Sequence, residues 1–271
     1  MVEFFHIMML PFLACLVLVG IHAYLGFHVI ERQVIFVDLA LAQIAVLGAS
    51  LALIVGHDLD SIQSYWLSLC FTILGAGIFS LTRFKKQRIP QEAIIGITYA
   101  VSAALLVIVL SRSGEGDEHI KQALVGNILL VSLPEVIKIA IIYALIGLFH
   151  YIFRKKFFAI SKDPDAAFQK GLNVRLWDFL FYVSFGFVVT SSVKIAGVLL
   201  VFSFLVVPSV CAILFSENLK TRLLIGWAVG FIASVLGMAV SYYLDFPTGA
   251  SVVATFGAVL ILLSIFRVIR R

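Results

Sequence analysis

Residues 195–216 read IAGVLLVFSFLVVPSVCAILFS, an uncharged run between Lys194 and Glu217. As an α-helix it rises about 33 Å at 1.5 Å per residue. That is enough to cross a hydrocarbon core about 30 Å thick. Working outward, six more charge-free runs reach spanning length: 4–30, 39–57, 61–82, 93–111, 223–244 and 246–266. Two shorter ones, 139–153 and 179–193, become spanning if a terminal charge such as Lys138 or Asp178 sits at the interface. A third, 122–134, is too short and ends at Pro134, so it reads as a half-helix or re-entrant piece.

Composition agrees. Of 271 residues, 62% are apolar and 13% charged, with mean hydropathy +1.11, against about 25% charged in an ordinary soluble protein. Too few charges exist to cover a globular surface, which excludes soluble enzymes, disulfide scaffolds and disordered chains. The expectation is an all-α polytopic membrane protein of about nine transmembrane helices plus a half-helix, forming a single domain over 1–271.

The net charge of +5 does not point to nucleic acid, because the basic residues lie in short clusters between apolar runs. If the last span ends in the cytosol, 16 of the 20 basic residues fall in 31–35, 83–91, 154–176, 216–222 and 267–271. Lys/Arg bias then places the N-terminus outside and the C-terminus in the cytosol, and the expected location is a bacterial or archaeal inner (plasma) membrane. MVEFFHIMMLPF carries no Lys or Arg ahead of its apolar run, so it reads as a first span rather than a signal peptide. Cys15, Cys70 and Cys211 are scattered through apolar stretches and read as packing.

No nucleotide-binding glycine loop, H-E-x-x-H or G-x-S-x-G is found. The chain is not expected to be an enzyme, and any ATP hydrolysis must come from a separate subunit. The longest hydrophilic stretch, 153–178, holds a cytosolic loop over 154–176. At its centre Asp163 suits an N-cap, Pro164 the first helical position and Gly171 the stop, predicting a short helix. Such a helix is either a docking element or a solvated loop.

Three segments are similar to the membrane subunits of ATP-binding-cassette (ABC) importers of the zinc, manganese and iron type. They are Pro164-Asp165-Ala166-Ala167-Phe168-x-x-Gly171, the run from Gly197 to Pro208, and Leu244-Asp245-Phe246-Pro247-Thr248-Gly249. The resemblance covers nearly the whole chain. It implies a type II-like permease that works as a homodimer with cytosolic ABC ATPase subunits and an extracytoplasmic metal-binding protein. It also implies that Pro164, Asp165, Ala167, Phe168 and Gly171 form the coupling helix against the ATPase. Gly197, Pro208, Asp245, Pro247 and Gly249 are then family structural positions, with Pro208 expected to kink its span. No permanently bound cofactor is implied, and the divalent metal is the transported substrate.

A fourth segment departs from the family pattern. Asp38-Leu-Ala-Leu-Ala-Gln43 is similar to D-x-L-A-H, but Gln43 stands where relatives carry a metal-contacting His and Leu39 where they carry Asp. Asp38 lies one residue, about 100° on a helix, out of phase. His22, at a similar depth in the first span, either replaces the missing ligand or hydrogen-bonds Gln43. Candidates for the translocation path are therefore His22, Asp38 and Gln43. An external cluster, Glu115, Asp117, Glu118 and His119, could receive a cation or be a solvated loop, as could His57, Asp58 and Asp60. Gly226 and Gly230 form a weak G-x-x-x-G packing motif.

The alternatives are an ABC permease for a metal chelate such as a siderophore or cobalamin, and an ion-driven secondary transporter. The latter would want carboxylates buried mid-span and an inverted repeat. Every Asp and Glu instead sits at or near an expected span end.

Overall fold

The computed structural model describes residues 2–58, 61–83, 89–111 and 124–270. Every regular element among them is helical: α1 (Val2–Glu31), α2 (Val37–Ile54), α3 (Ile62–Leu81), α4 (Gln91–Leu110), the one-turn 3-10 helix η1 (Ile128–Leu130), α5 (Leu133–Ile152), α6 (Arg154–Lys162), α7 (Pro164–Gln169), α8 (Val174–Phe215), α9 (Leu219–Leu244) and α10 (Thr248–Ile269). Eight of these are long and apolar enough to cross a membrane. With no water in the bilayer core, helices satisfy their own backbone groups. The chain is an integral membrane protein.

The longest of the eight, α8, covers 42 residues and is two helices joined at Gly197, which sits at φ 74° and ψ 161°, so its two arms bring the eight in line with the nine expected. The break leaves arms of 174–196 and 198–215, about 35 Å and 27 Å long. Pro208 keeps helical dihedrals, and the residue that leaves them is Gly197. Glycine reaches a left-handed φ without the Cβ clash other residues meet.

Helix starts also move. α5 begins at Leu133 rather than 139, with the Glu135 side chain reaching back to Ser132 just ahead of the helix. Glu135 Oε2 accepts from Ser132 N at 2.9 Å and from Ser132 Oγ at 2.7 Å, satisfying donors at the helix start. Instead of the half-helix expected over 122–134, the described part of that stretch contains η1, preceded by Gly126 at φ 68°.

The chain divides into two compact units. The first comprises residues 1–30, 124–145 and 192–271. Small residues set its packing: a Cβ on Gly26 of α1 would fall 1.9 Å from the Leu205 carbonyl of α8, and one on Gly230 of α9 would fall 2.5 Å from Val19. The Gly226–Gly230 pair thus packs within the chain, as expected. Trp227 Nε1 donates to Gly20 O at 3.1 Å and Ser209 Oγ to Ala23 O at 3.3 Å. Interhelical polar bonds and close backbones are what hold helices together where lipid removes the hydrophobic drive.

The second unit comprises residues 31–123 and 146–191. Its described part packs α2 against α3 and α4, with Leu47, Leu106 and Leu110 at the centre. Gly48 lets the Leu67–Phe71 stretch of α3 approach α2, and Gly186 of α8 accommodates Thr72. Thr72 Oγ1 and Thr190 Oγ1 hydrogen-bond at 3.1 Å. Around α6 the packing is aromatic: Phe157 stacks on His150 with centroids 4.3 Å apart and meets Trp177 edge-on at 5.5 Å.

Candidate functional site

The hydrophilic loop is built as its residues dictate. Asp163 caps α7, its Oδ1 accepting from Ala166 N at 2.8 Å, with Pro164 in the first turn. After Lys170 the chain turns through Gly171 at φ 76°, and Leu172 N returns to Ala167 O at 3.1 Å. Ala167 is buried, Phe168 half-buried and Asp165 exposed. The exposed side of the helix carries the Asp165 carboxylate. The preceding helix α6 was not expected. Phe157, Ile160 and Ser161 are its buried residues while Arg154, Lys155 and Lys156 stay exposed. The three-residue step from Phe157 to Ile160 was the signal available in the sequence.

His22 lies in the first unit, fully buried. Its Nδ1 is 2.8 Å from Leu18 O, so the ring is oriented from within its own helix. Tyr143 of α5 packs edge-on at 6.2 Å, and Nε2 has no hydrogen-bond partner. Asp38 and Gln43 lie in the second unit, on the buried side of α2. Asp38 is wholly buried, and neither carboxylate oxygen accepts a hydrogen bond. A buried polar group without a partner is out of pattern, and in a membrane it marks a pathway by default.

Asp178 lies four residues into α8, near a span end as expected, but it is wholly buried there. Its partners Arg32 and Arg83, cytosolic charges by their place in the sequence, are buried as well. No group of three or more His, Cys, Asp or Glu side chains is assembled for a metal among the described residues. Glu115, Asp117, Glu118, His119 and Asp60 lie outside the described residues. Cys15 and Cys211 are buried, Cys70 is exposed, and all three are unpaired.

The α9–α10 connector of the first unit is a tight joint. Asp245 ends α9 in the left-handed conformation at φ 53°. Ser241 Oγ then binds Phe246 O at 2.8 Å and Thr248 Oγ1 at 2.9 Å, and Pro247 starts α10. A Cβ on Gly249 would lie 2.8 Å from Val125 O. Beside it is a cavity of about 510 Å³ lined by Ile7, Met8, Asn127, Ser241, Asp245 and Thr248, among others.

A helical chain with apolar spanning arms, buried polar groups inside them and a capped polar helix between two of them defines a membrane transport permease. The chain matches the family described as "ABC 3 transport family" over residues 4–267. It is 27% identical over 263 residues to the manganese import system permease protein ScaB of Streptococcus gordonii, covering 97% of this chain and 91% of that one. It is also 27% identical over 199 residues to the chelated iron transport system membrane protein YfeD of Yersinia pestis, covering 71% of this chain and 66% of that one. The solved structure of PsaBC from Streptococcus pneumoniae in complex with Fab has a TM-score of 0.79 at 24% identity, covering 97% and 94%. The chain belongs to the ABC 3 transport family.

Proposed function

We propose that this chain is the permease subunit of an ATP-driven importer of a divalent transition metal, zinc, manganese or iron. The observation that carries the reading is α7: a helix capped at Asp163 and stopped at Gly171, on the stretch Pro164-Asp165-Ala166-Ala167-Phe168. Its exposed Asp165 and half-buried Phe168 suit a groove on an ATPase. Hydrolysis belongs to that separate subunit. Two copies of the chain form the working unit, and an extracytoplasmic binding protein delivers the metal. The Lys/Arg bias supports an N-terminus outside and α6–α7 in the cytosol.

Along the path, the unpartnered oxygens of Asp38 and the unpartnered Nε2 of His22 are the groups suited to a passing cation. Gln43 offers a neutral oxygen, a better match to harder ions than to zinc. A path must bind substrate differently in its two states, or hydrolysis moves nothing. The test is uptake into proteoliposomes containing the permease, its cognate ATPase and its binding protein. ATP-dependent accumulation of Mn²⁺, Zn²⁺ or Fe²⁺ is expected. Accumulation driven by a proton or sodium gradient without ATP would overturn the reading.

A further inference from the structure

Four side chains from four stretches of sequence meet inside the second unit. Arg32 follows α1, Arg83 follows α3, Ser161 lies in the last turn of α6, and Asp178 sits near the start of α8. Asp178 Oδ1 lies 2.5 Å from Arg32 Nη1, and its Oδ2 lies 3.5 Å from Arg83 Nε. All three charged side chains are at most 4% exposed. Arg32 Nε also donates to Ser161 Oγ at 2.8 Å, and its guanidinium rests 4.0 Å over the Phe181 ring.

The pairing is unequal and incomplete. Two cations share one carboxylate, held closely by Arg32 and loosely by Arg83. Arg32 Nη2 and Arg83 Nη1 are buried with no hydrogen-bond partner. A buried ion pair adds little stability over an apolar pair, and a half-satisfied polar network adds less. Setting register or switching is the best-attested use of such a group. Ser161 is two residues ahead of the Asp163 cap of α7, so a load on α7 reaches Arg32 through one hydrogen bond.

We propose that Asp178 is a positioning residue, a charge latch that couples the α6–α7 loop to the ends of α1 and α3 by exchanging its close partner Arg32 for Arg83 during transport. The latch rests on the reading of α7 as the coupling helix. Movement of the loop pulls Ser161 and Arg32 together, Asp178 is released toward Arg83, and the spanning ends shift with it. Both end states keep the carboxylate paired inside the protein, so exchange avoids a bare buried charge.

The test measures metal uptake and ATP hydrolysis together in the reconstituted complex, with Mn²⁺ as the transported probe. In Asp178→Asn, uptake per ATP hydrolysed is expected to fall about tenfold, within the range of a typical coupling free energy. The ATPase should still co-purify. Ser161→Ala leaves the ion pairs whole and cuts the loop from them, so the ratio should fall in the same direction. Asp178→Glu should recover part of it. An unchanged ratio in Asp178→Asn overturns the latch; should that variant not fold, an unchanged ratio in Ser161→Ala overturns it. A wild-type complex without ATP-driven uptake sinks the importer reading and the latch with it. Uptake by the wild type with normal ratios in the variants sinks the latch alone.

Discussion

Gly126 and Gly197 face each other backbone to backbone, and each holds a left-handed φ, 68° and 74°. A Cβ built on Gly126 would sit 2.3 Å from Gly197 N, and one on Gly197 would sit 2.3 Å from Gly126 N. Beside them Asn127 N donates to Ile195 O at 3.2 Å, recovering a carbonyl released by the break in α8. Gly126→Ala and Gly197→Ala should each lower stability by about 1–3 kcal/mol from dihedral strain alone, with the clash added. Thermal unfolding of the purified protein in detergent checks this, and an unchanged midpoint for both would contradict the joint.

Close approach of α1 and α8 predicts a contrast between two glycines of one helix. Gly26→Ala drives a methyl into the Leu205 carbonyl, whereas a Cβ on Gly20 meets nothing within 4 Å. Overpacking costs about 1–3 kcal/mol, while Ala in place of Gly inside a helix gains about 0.5–1 kcal/mol. The unfolding midpoint should drop for Gly26→Ala and hold or rise for Gly20→Ala.

Loss of the α7 cap should be felt by the partner rather than by the bulk of the fold. Asp163→Ala removes the bond to Ala166 N, a change of about 1 kcal/mol in the helix. Weaker retention of the ATPase in pull-downs is expected, with little movement of the unfolding midpoint. Phe168→Ala should weaken retention as well. Full ATPase retention by both would remove α7 from the interface.

Asp38→Asn separates a path role from a packing role. Removing an unpartnered buried carboxyl group should leave stability equal or higher. Uptake should fall about ten- to hundredfold, as metal affinity does when groups supporting a site are lost. His22→Ala, removing a ring whose Nε2 is unpartnered, should also lose uptake while the protein stays folded. Full uptake in both variants would place the path elsewhere.

Much of this was legible in the chain itself. Charge-free runs locate the membrane because the cost of placing charge in hydrocarbon depends only on residue type and depth. Asp163, Pro164 and Gly171 located α7 because caps and left-handed stops act within a single turn. Ser132-x-x-Glu135 was also local, and it lies at the start of α5, beyond a boundary that charge alone had set.

Tertiary structure decided what depends on distant partners. Whether Arg32 and Arg83 are solvated charges or a buried latch turns on Asp178, 146 residues after Arg32. Whether α8 breaks at Pro208 or Gly197 turns on Gly126, which must come close enough to forbid a side chain there. The sequence alone determined the solvent of this protein and the ends of its local elements, since hydropathy and capping are short-range. Pairing and close packing are long-range, and only the folded chain brought those residues together.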